Sequence, residues 1–169
     1  MGVKISKKRT SLGSEHPYCD TIQLVIIILF FIVWVADSLS YFVFSFSTIL
    51  VGLTFLPLRL LLSIVVIGFG LYLVGKSHES VFGDASDPPK LVDSGVYSLV
   101  RHPMYLGTLL FCLAFFFCMP SLLSLVIWLG FFIFYDIMAT YEEKDLIRIF
   151  GEEYINYQKR VSKWFPRII

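Results

Sequence analysis

Cysteine is scarce in this 169-residue chain, and the three present, Cys19, Cys112 and Cys118, show no CxxC or zinc-ligand spacing. Two of them sit in apolar runs, where cysteine behaves as a small hydrophobe, so neither a disulfide framework nor a metal site is expected. Histidine is equally sparse. His16, His78 and His102 lie far apart and none stands in an HExxH frame, which argues against zinc. Net charge is only +1, from 14 Lys/Arg against 13 Asp/Glu, so nothing points to a nucleic acid partner. Also missing is any linker, repeat or low-complexity tract that would divide the chain, and one compact domain is the expectation.

What the chain has in excess is apolar sequence. Hydrophobic residues make up 57%, against about 45–50% in an ordinary soluble domain, which marks a membrane protein. The first residues, Met1-Gly2-Val3-Lys4-Ile5-Ser6, fit a short myristoylation pattern followed by Lys7, Lys8 and Arg9. Beside several spans one acyl chain adds little, so this segment reads as a basic, solvated tail. It does not read as a cleaved signal peptide, because no small-residue cleavage site follows the apolar run that begins at Thr21.

Apolar runs then predict spans over Thr21–Ala36, Leu39–Leu56, Leu58–Gly75, Met104–Cys118 and Ser121–Ala139. Asp37-Ser38 and Pro57 with Arg59 mark the first boundaries. Gly68 and Gly70 should let another helix approach closely. The expected architecture is thus an all-α integral membrane protein with five transmembrane helices, four being the alternative, and a C-terminal amphipathic cytoplasmic helical segment.

The two counts rest on opposed arguments. With five spans, five Lys/Arg lie outside against nine inside; with four, Arg59 alone lies outside against thirteen, which the positive-inside rule prefers. The apolar character of Tyr41–Phe46 favours five, since backbone near lipid needs helical hydrogen bonds.

The polar connection from Lys76 to Arg101 is too long for a mere connector, which points to function. Pro120 predicts a tight hairpin, and its geometry would bring this loop and the tail from Thr140 out on the same side of the membrane. The tail spaces Leu146, Ile149, Phe150, Ile155, Val161, Trp164 and Phe165 as amphipathic helices do. Gly151 should bend it and Pro166 close it.

At the head of the hairpin stands Gly95-Val96-Tyr97-Ser98-Leu99-Val100-Arg101-His102-Pro103-Met104-Tyr105-Leu106-Gly107. Pro103 suits the first turn of a helix, whose free N–H groups favour a carboxylate or phosphate. Tyr97, His102 and Tyr105 add aromatic faces and polar tips. From the residues alone, an interfacial tyrosine belt with an arginine reaching the headgroups is as good a reading as a ligand site.

The motif GVYxxxRHPxYxG, followed after the hairpin by Glu142-Glu143 and then by Phe150-Gly151-Glu152-Glu153-Tyr154-Ile155-Asn156-Tyr157, resembles the isoprenylcysteine carboxyl methyltransferase family over roughly residues 89–166. The short N-terminal half is similar to a minimal microbial form of it.

The resemblance implies S-adenosylmethionine as cofactor, with S-adenosylhomocysteine as product. It implies a multi-pass integral membrane enzyme whose site faces the cytoplasm, in the cell membrane of a prokaryote or the endoplasmic reticulum of a eukaryote. On this reading, residues 1–20 form the basic tail, 21–75 the N-terminal transmembrane helices, and 76–169 the catalytic, cofactor-binding region with its hairpin at 103–139.

By the same resemblance Glu142 receives the cofactor ammonium, with Glu143 as second candidate. His102 and the N–H groups after Pro103 face the carboxylate, Tyr105 and Tyr97 wall or bond the head, and Lys90, Leu91 and Val92 touch the adenine side. The implied reaction methylates the carboxylate of a prenylated cysteine, on a protein C-terminus or as a small molecule, or of a similar lipid-linked acid that enters from the bilayer. An ionised carboxylate needs no general base, and the chain offers no dedicated one. Eukaryotic members carry an arginine four residues before the first glutamate; this chain has Met138 there, and Arg101 is a candidate substitute cation for the acceptor. The alternatives are a phospholipid or amine N-methyltransferase and an NADPH-dependent sterol-type reductase, the latter lacking a basic cluster near the motif blocks.

Overall fold

A computed structural model describes residues 19–41, 50–82 and 90–166 of the chain. Those residues form α1 (Cys19–Ser40), a single turn α2 (Leu50–Leu53), α3 (Leu56–Phe82), a 3₁₀ turn (Gly95–Ser98), α4 (Pro103–Cys118), α5 (Leu122–Phe150) and α6 (Glu152–Arg160). Among the described residues three segments are long and apolar enough to cross a membrane: Thr21–Leu39, Leu56–Val81 and Leu122–Phe150; α4 is apolar but shorter. Leu24, Ile32, Ile64, Val126 and Ile137 are exposed along these helices, as a lipid-facing surface requires.

The hairpin expected around Pro120 is present. Met119 caps α4 in an extended conformation, and the Ser121 hydroxyl accepts from the Ser124 N–H to start α5. The antiparallel register of the pair is fixed by Trp128, whose indole donates to Leu109 O at 2.7 Å, and by Tyr105 stacked on Tyr135 at 4.5 Å.

Against the outer face of α4 lies α3, also antiparallel. Ser63 donates to Ala114 O (2.7 Å), and Gly70 faces Gly107 so closely that a Cβ on either would stand 2.8 or 2.7 Å from the other's carbonyl oxygen. Gly70 therefore performs the close approach expected of it. Gly68 does not, since a Cβ placed there would meet nothing within 4 Å.

α1 runs parallel to α4. Phe31 packs on Phe115 at 4.8 Å, and the Trp34 indole donates to Phe115 O and Met119 O. Phe30 joins the core formed by Leu109, Cys112, Phe131, Tyr135 and Ala139.

Several boundaries differ from expectation. Asp37 does not end the first helix: it is buried within α1, which continues to Ser40. The loop expected to begin at Lys76 begins later, since α3 continues to Phe82. α5 does not stop at Ala139 but runs unbroken to Phe150, so the tail's first helix is the extension of a spanning helix at the site end of the bundle. Gly151, at φ +57°, makes the expected bend between α5 and α6.

The separate span Leu39–Leu56 is not what the described residues form. Its middle, 42–49, lies outside them, and beyond it stands one helical turn, α2, interrupted at Thr54-Phe55. Trp34 near the end of α1 and Ser63 near the start of α3 both bond the C-terminal part of α4, so α1 ends and α3 begins at the Pro120 end of the bundle. A complete crossing between them would have put those two points at opposite ends.

Candidate active site

The opposite end of the bundle gathers the motif residues. The 3₁₀ turn is held by Tyr97, whose hydroxyl shares a 2.7 Å hydrogen bond with Ser77 on α3 and whose carbonyl accepts from the Tyr157 hydroxyl of α6, also at 2.7 Å. Gly95 enters that turn at φ +62°, a backbone region that favours glycine. Pro103 then begins α4 with His102 as N-cap residue, and no side chain caps the first turn.

Both glutamates project from α5 toward this point, in different roles. Glu143 is buried and fully engaged: its Oε1 accepts from Arg101 Nε (2.8 Å) and His102 Nε2 (3.0 Å), and its Oε2 from Gln158 Nε2 (3.0 Å). A carboxylate acceptor requires that His102 Nε2 carry the proton. Glu142 accepts from the Tyr105 hydroxyl, and its Oε2 lies 3.7 Å from His102 Nδ1. The imidazole thus lies between two acids and is hydrogen-bonded to one of them, Glu143; it is stacked on Tyr105 (5.8 Å), which stacks in turn on Tyr135.

Arg101 is held from four sides. Besides Glu143, its Nη1 donates to Gln158 O (3.2 Å) and Val161 O (2.9 Å), and its backbone N–H donates to Ser162 O (2.9 Å).

A cavity of about 200 Å³ opens beside this network. Of the residues singled out from sequence, Lys90, Leu91, Val92, Tyr97, Arg101, His102, Tyr105 and Glu142 line it. Pro103 and Glu143 stand behind the wall. Its lining also includes Val81, Met104, Leu146, Phe150, Tyr154 and Tyr157, which sequence reasoning did not assign to the site. Tyr154 and Tyr157 were visible as an i, i+3 aromatic pair on an amphipathic helix; Ser77 carried no signal within its apolar neighbourhood.

The α6 helix does not turn its apolar face to lipid. Tyr154 and Tyr157 pack with Val161 against Leu91, Leu146, Ile147 and Phe150, closing the cavity from above. Burial pushes the hydroxyl pKa of Tyr97, Tyr154 and Tyr157 upward, so all three stay neutral donors at physiological pH. Among the described residues no group of three or more His, Cys, Asp or Glu could hold a metal ion.

Fold and site together define a multi-pass helical membrane protein with a largely apolar cavity, bordered by a few charged groups, at one end of its bundle. A family model described as phospholipid methyltransferase matches residues 47–153, and the chain belongs to that family. Its similarity to isoprenylcysteine carboxyl methyltransferases extends beyond the motifs. The chain is 34% identical over 104 residues to protein-S-isoprenylcysteine O-methyltransferase of Homo sapiens, covering 58% of this chain and 35% of that one.

It is also 40% identical over 117 residues to methanethiol S-methyltransferase of Pseudomonas deceptionensis, covering 60% and 43%. With the cobalt-zinc-cadmium resistance protein CzcN of Cupriavidus metallidurans it shares 33% over 110 residues, covering 64% and 50%. The chain therefore spans between a third and a half of the length of these curated relatives. Membership of a methyltransferase family implies a methyl donor.

Proposed function

We propose that the cavity binds S-adenosylmethionine and that the protein is a membrane methyltransferase acting on a lipophilic acceptor, in the first place the carboxylate of a prenylated cysteine or similar lipid-linked acid. The observation that carries this reading is the division of charge around one cavity. Glu142 offers a carboxylate on the α5 wall, while Arg101 and the uncapped start of α4 offer positive potential on the other. That donor set fits an amino acid head with its ammonium toward Glu142 and its carboxylate toward the Met104 N–H and Arg101, so in this reading Arg101 serves the cofactor head rather than the acceptor carboxylate first expected of it.

Leu91, Val92, Leu146 and Phe150 supply apolar surface for a purine, and Lys90 stands at the exposed rim. His102 is held by Glu143 and stacks on Tyr105, the residue whose hydroxyl bonds Glu142, so its part is to fix that wall of the cavity beside the cofactor head. About 200 Å³ is below the roughly 300–1,000 Å³ of typical small-molecule sites, so a nucleoside-linked amino acid would fill the cavity and extend past it. All lining residues fall between 81 and 157, within the region 76–169 assigned to cofactor binding.

When bound, the cofactor supplies a methyl group activated on a sulfonium. The protein's part is to hold and desolvate. The stack of His102, Tyr105 and Tyr135 makes a rigid wall, and α6 excludes water from above. An ionised acceptor needs no proton removed, so holding and desolvating the two substrates is sufficient chemistry for the site.

The depth of the site also favours a membrane-borne acceptor. The 16 residues of α4 span roughly 24 Å, short of the ~30 Å hydrocarbon core, which sinks the head of α4 toward the acyl region. Four crossings suit the bundle best. They put the start of α1 at the site end and leave Arg59 as the lone cation at the other, so the positive-inside rule assigns the site to the cytoplasm.

A thiol acceptor is the second reading, favoured by the identity to a methanethiol S-methyltransferase and by Met138 in place of a further cation. The deciding assay is transfer of labelled methyl from S-adenosylmethionine to candidate acceptors in proteoliposomes. Base-labile product indicates an ester; base-stable product indicates a thioether or amine. No transfer to any acceptor, together with NADPH binding, would overturn the proposal in favour of a reductase.

A further inference from the structure

The network around Arg101 depends on a segment that none of the motif blocks contains. After α6, residues 161–166 fold back along α5 and are tied to it at one point. Lys163 Nζ donates to Asp136 Oδ1 (2.6 Å), to Asp136 O (2.9 Å) and to Thr140 Oγ1 (2.7 Å), and the Trp164 indole donates to the same Asp136 Oδ1 (2.8 Å). A carboxylate in a candidate span is costly unless something requires it there.

From this anchor the segment reaches the site twice. Its backbone presents Val161 O and Ser162 O to the guanidinium and amide of Arg101, and the buried Trp164 ring packs between Phe132 (5.3 Å) and His102 (6.1 Å). We infer that Asp136 is a positioning residue: it latches residues 161–166 onto α5 and, through their carbonyls, fixes Arg101 at the cavity.

The Arg101 guanidinium has one acceptor on this segment, Val161 O, one on α6, Gln158 O, and one on α5, the Glu143 carboxylate. Releasing the segment takes Val161 O from the guanidinium and Ser162 O from the backbone amide, leaving Arg101 held by Glu143 and Gln158 O and freer to shift. A charge displaced by about 1 Å from a ligand it must meet can cost up to roughly a hundredfold, so the anchor acts on the site without touching it.

Hydrogen exchange on the full-length protein in nanodiscs reads the latch without any ligand. Asp136→Ala and, separately, Lys163→Ala should speed exchange of the Arg101 amide by about tenfold or more, with the amides of α4 and α5 unchanged in at least Lys163→Ala. An unaltered Arg101 amide in both variants overturns the inference, as does acceleration spread through α4 and α5 in both. A second arm rests on the proposed cofactor site: Lys163→Ala should weaken S-adenosylhomocysteine binding about tenfold, and less than about twofold in an Arg101→Ala background. Equal losses in the two backgrounds overturn the route through Arg101. If the wild type binds no S-adenosylhomocysteine, the functional reading fails while the exchange result still decides the latch.

Discussion

Replacing Glu142 by glutamine keeps the shape of the side chain and its contact with Tyr105 but removes the negative charge that the cavity presents to an ammonium. Two unit charges about 4 Å apart interact by ~4 kcal/mol at an effective dielectric near 20, and hydrogen bonds to charged groups contribute about 1.5–3 kcal/mol net. Because Glu142 is partly exposed at the cavity, the smaller range applies. Converted at 1.4 kcal/mol per decade, it predicts that S-adenosylhomocysteine binds about 10- to 150-fold more weakly to Glu142→Gln than to wild type. Isothermal titration in nanodiscs measures this directly. Equal affinity in the two proteins, with the variant folded, would refute the assignment of the ammonium to Glu142.

Glu143→Gln should behave differently, since Arg101, His102 and Gln158 all depend on that carboxylate; loss of about 3 kcal/mol of stability is expected, read as a lower unfolding midpoint than for Glu142→Gln. Gly107→Ala drives a methyl to 2.7 Å from Gly70 O and should cost about 1–3 kcal/mol, whereas Gly68→Ala, with open space around it, should be neutral or slightly stabilising; thermal unfolding of the pair checks the α3–α4 contact. The raised hydroxyl pKa values of Tyr97, Tyr154 and Tyr157 give a pH dependence with a definite sign: the unfolded chain loses these protons first, at about pH 10, so their contribution is intact below that pH and is lost as pH rises through the folded values. The tyrosine contribution should be flat below about pH 9.5 and fall above it, so the decline above about pH 10 should be less steep in Tyr157→Phe than in wild type, read from unfolding midpoints across that range.

The hairpin was legible because Pro120 and Pro103 punctuate long apolar runs, and the site end was legible because the two polar blocks flank that hairpin. The span count was not. Asp37 and Ser38 look like a boundary in sequence, yet α1 carries both inside a helix that ends only at Ser40, and composition cannot say that Trp34 and Ser63 bond the same end of α4. The division of labour between adjacent glutamates was equally hidden. Neighbours on a helix point about 100° apart, so Glu142 meets the cavity while Glu143 turns to Arg101 and Gln158, and only the placement of α6 reveals which does which. Trp164 looked like a member of an amphipathic face, with Lys163 unremarked beside it. Their polar atoms reach instead to Asp136, a contact between residues 27 and 28 positions apart that no local periodicity encodes.

The central claim, that a methyl-donor nucleoside occupies the cavity between the head of α4 and α6, is tested most directly by photolabelling the membrane-embedded protein with an azido-adenine analogue of S-adenosylmethionine and mapping the modified peptides. The account predicts label on peptides covering residues 90–105 and 142–157, abolished by excess S-adenosylhomocysteine and unaffected by NADPH. Label confined to other helices, or protection by NADPH alone, would contradict it.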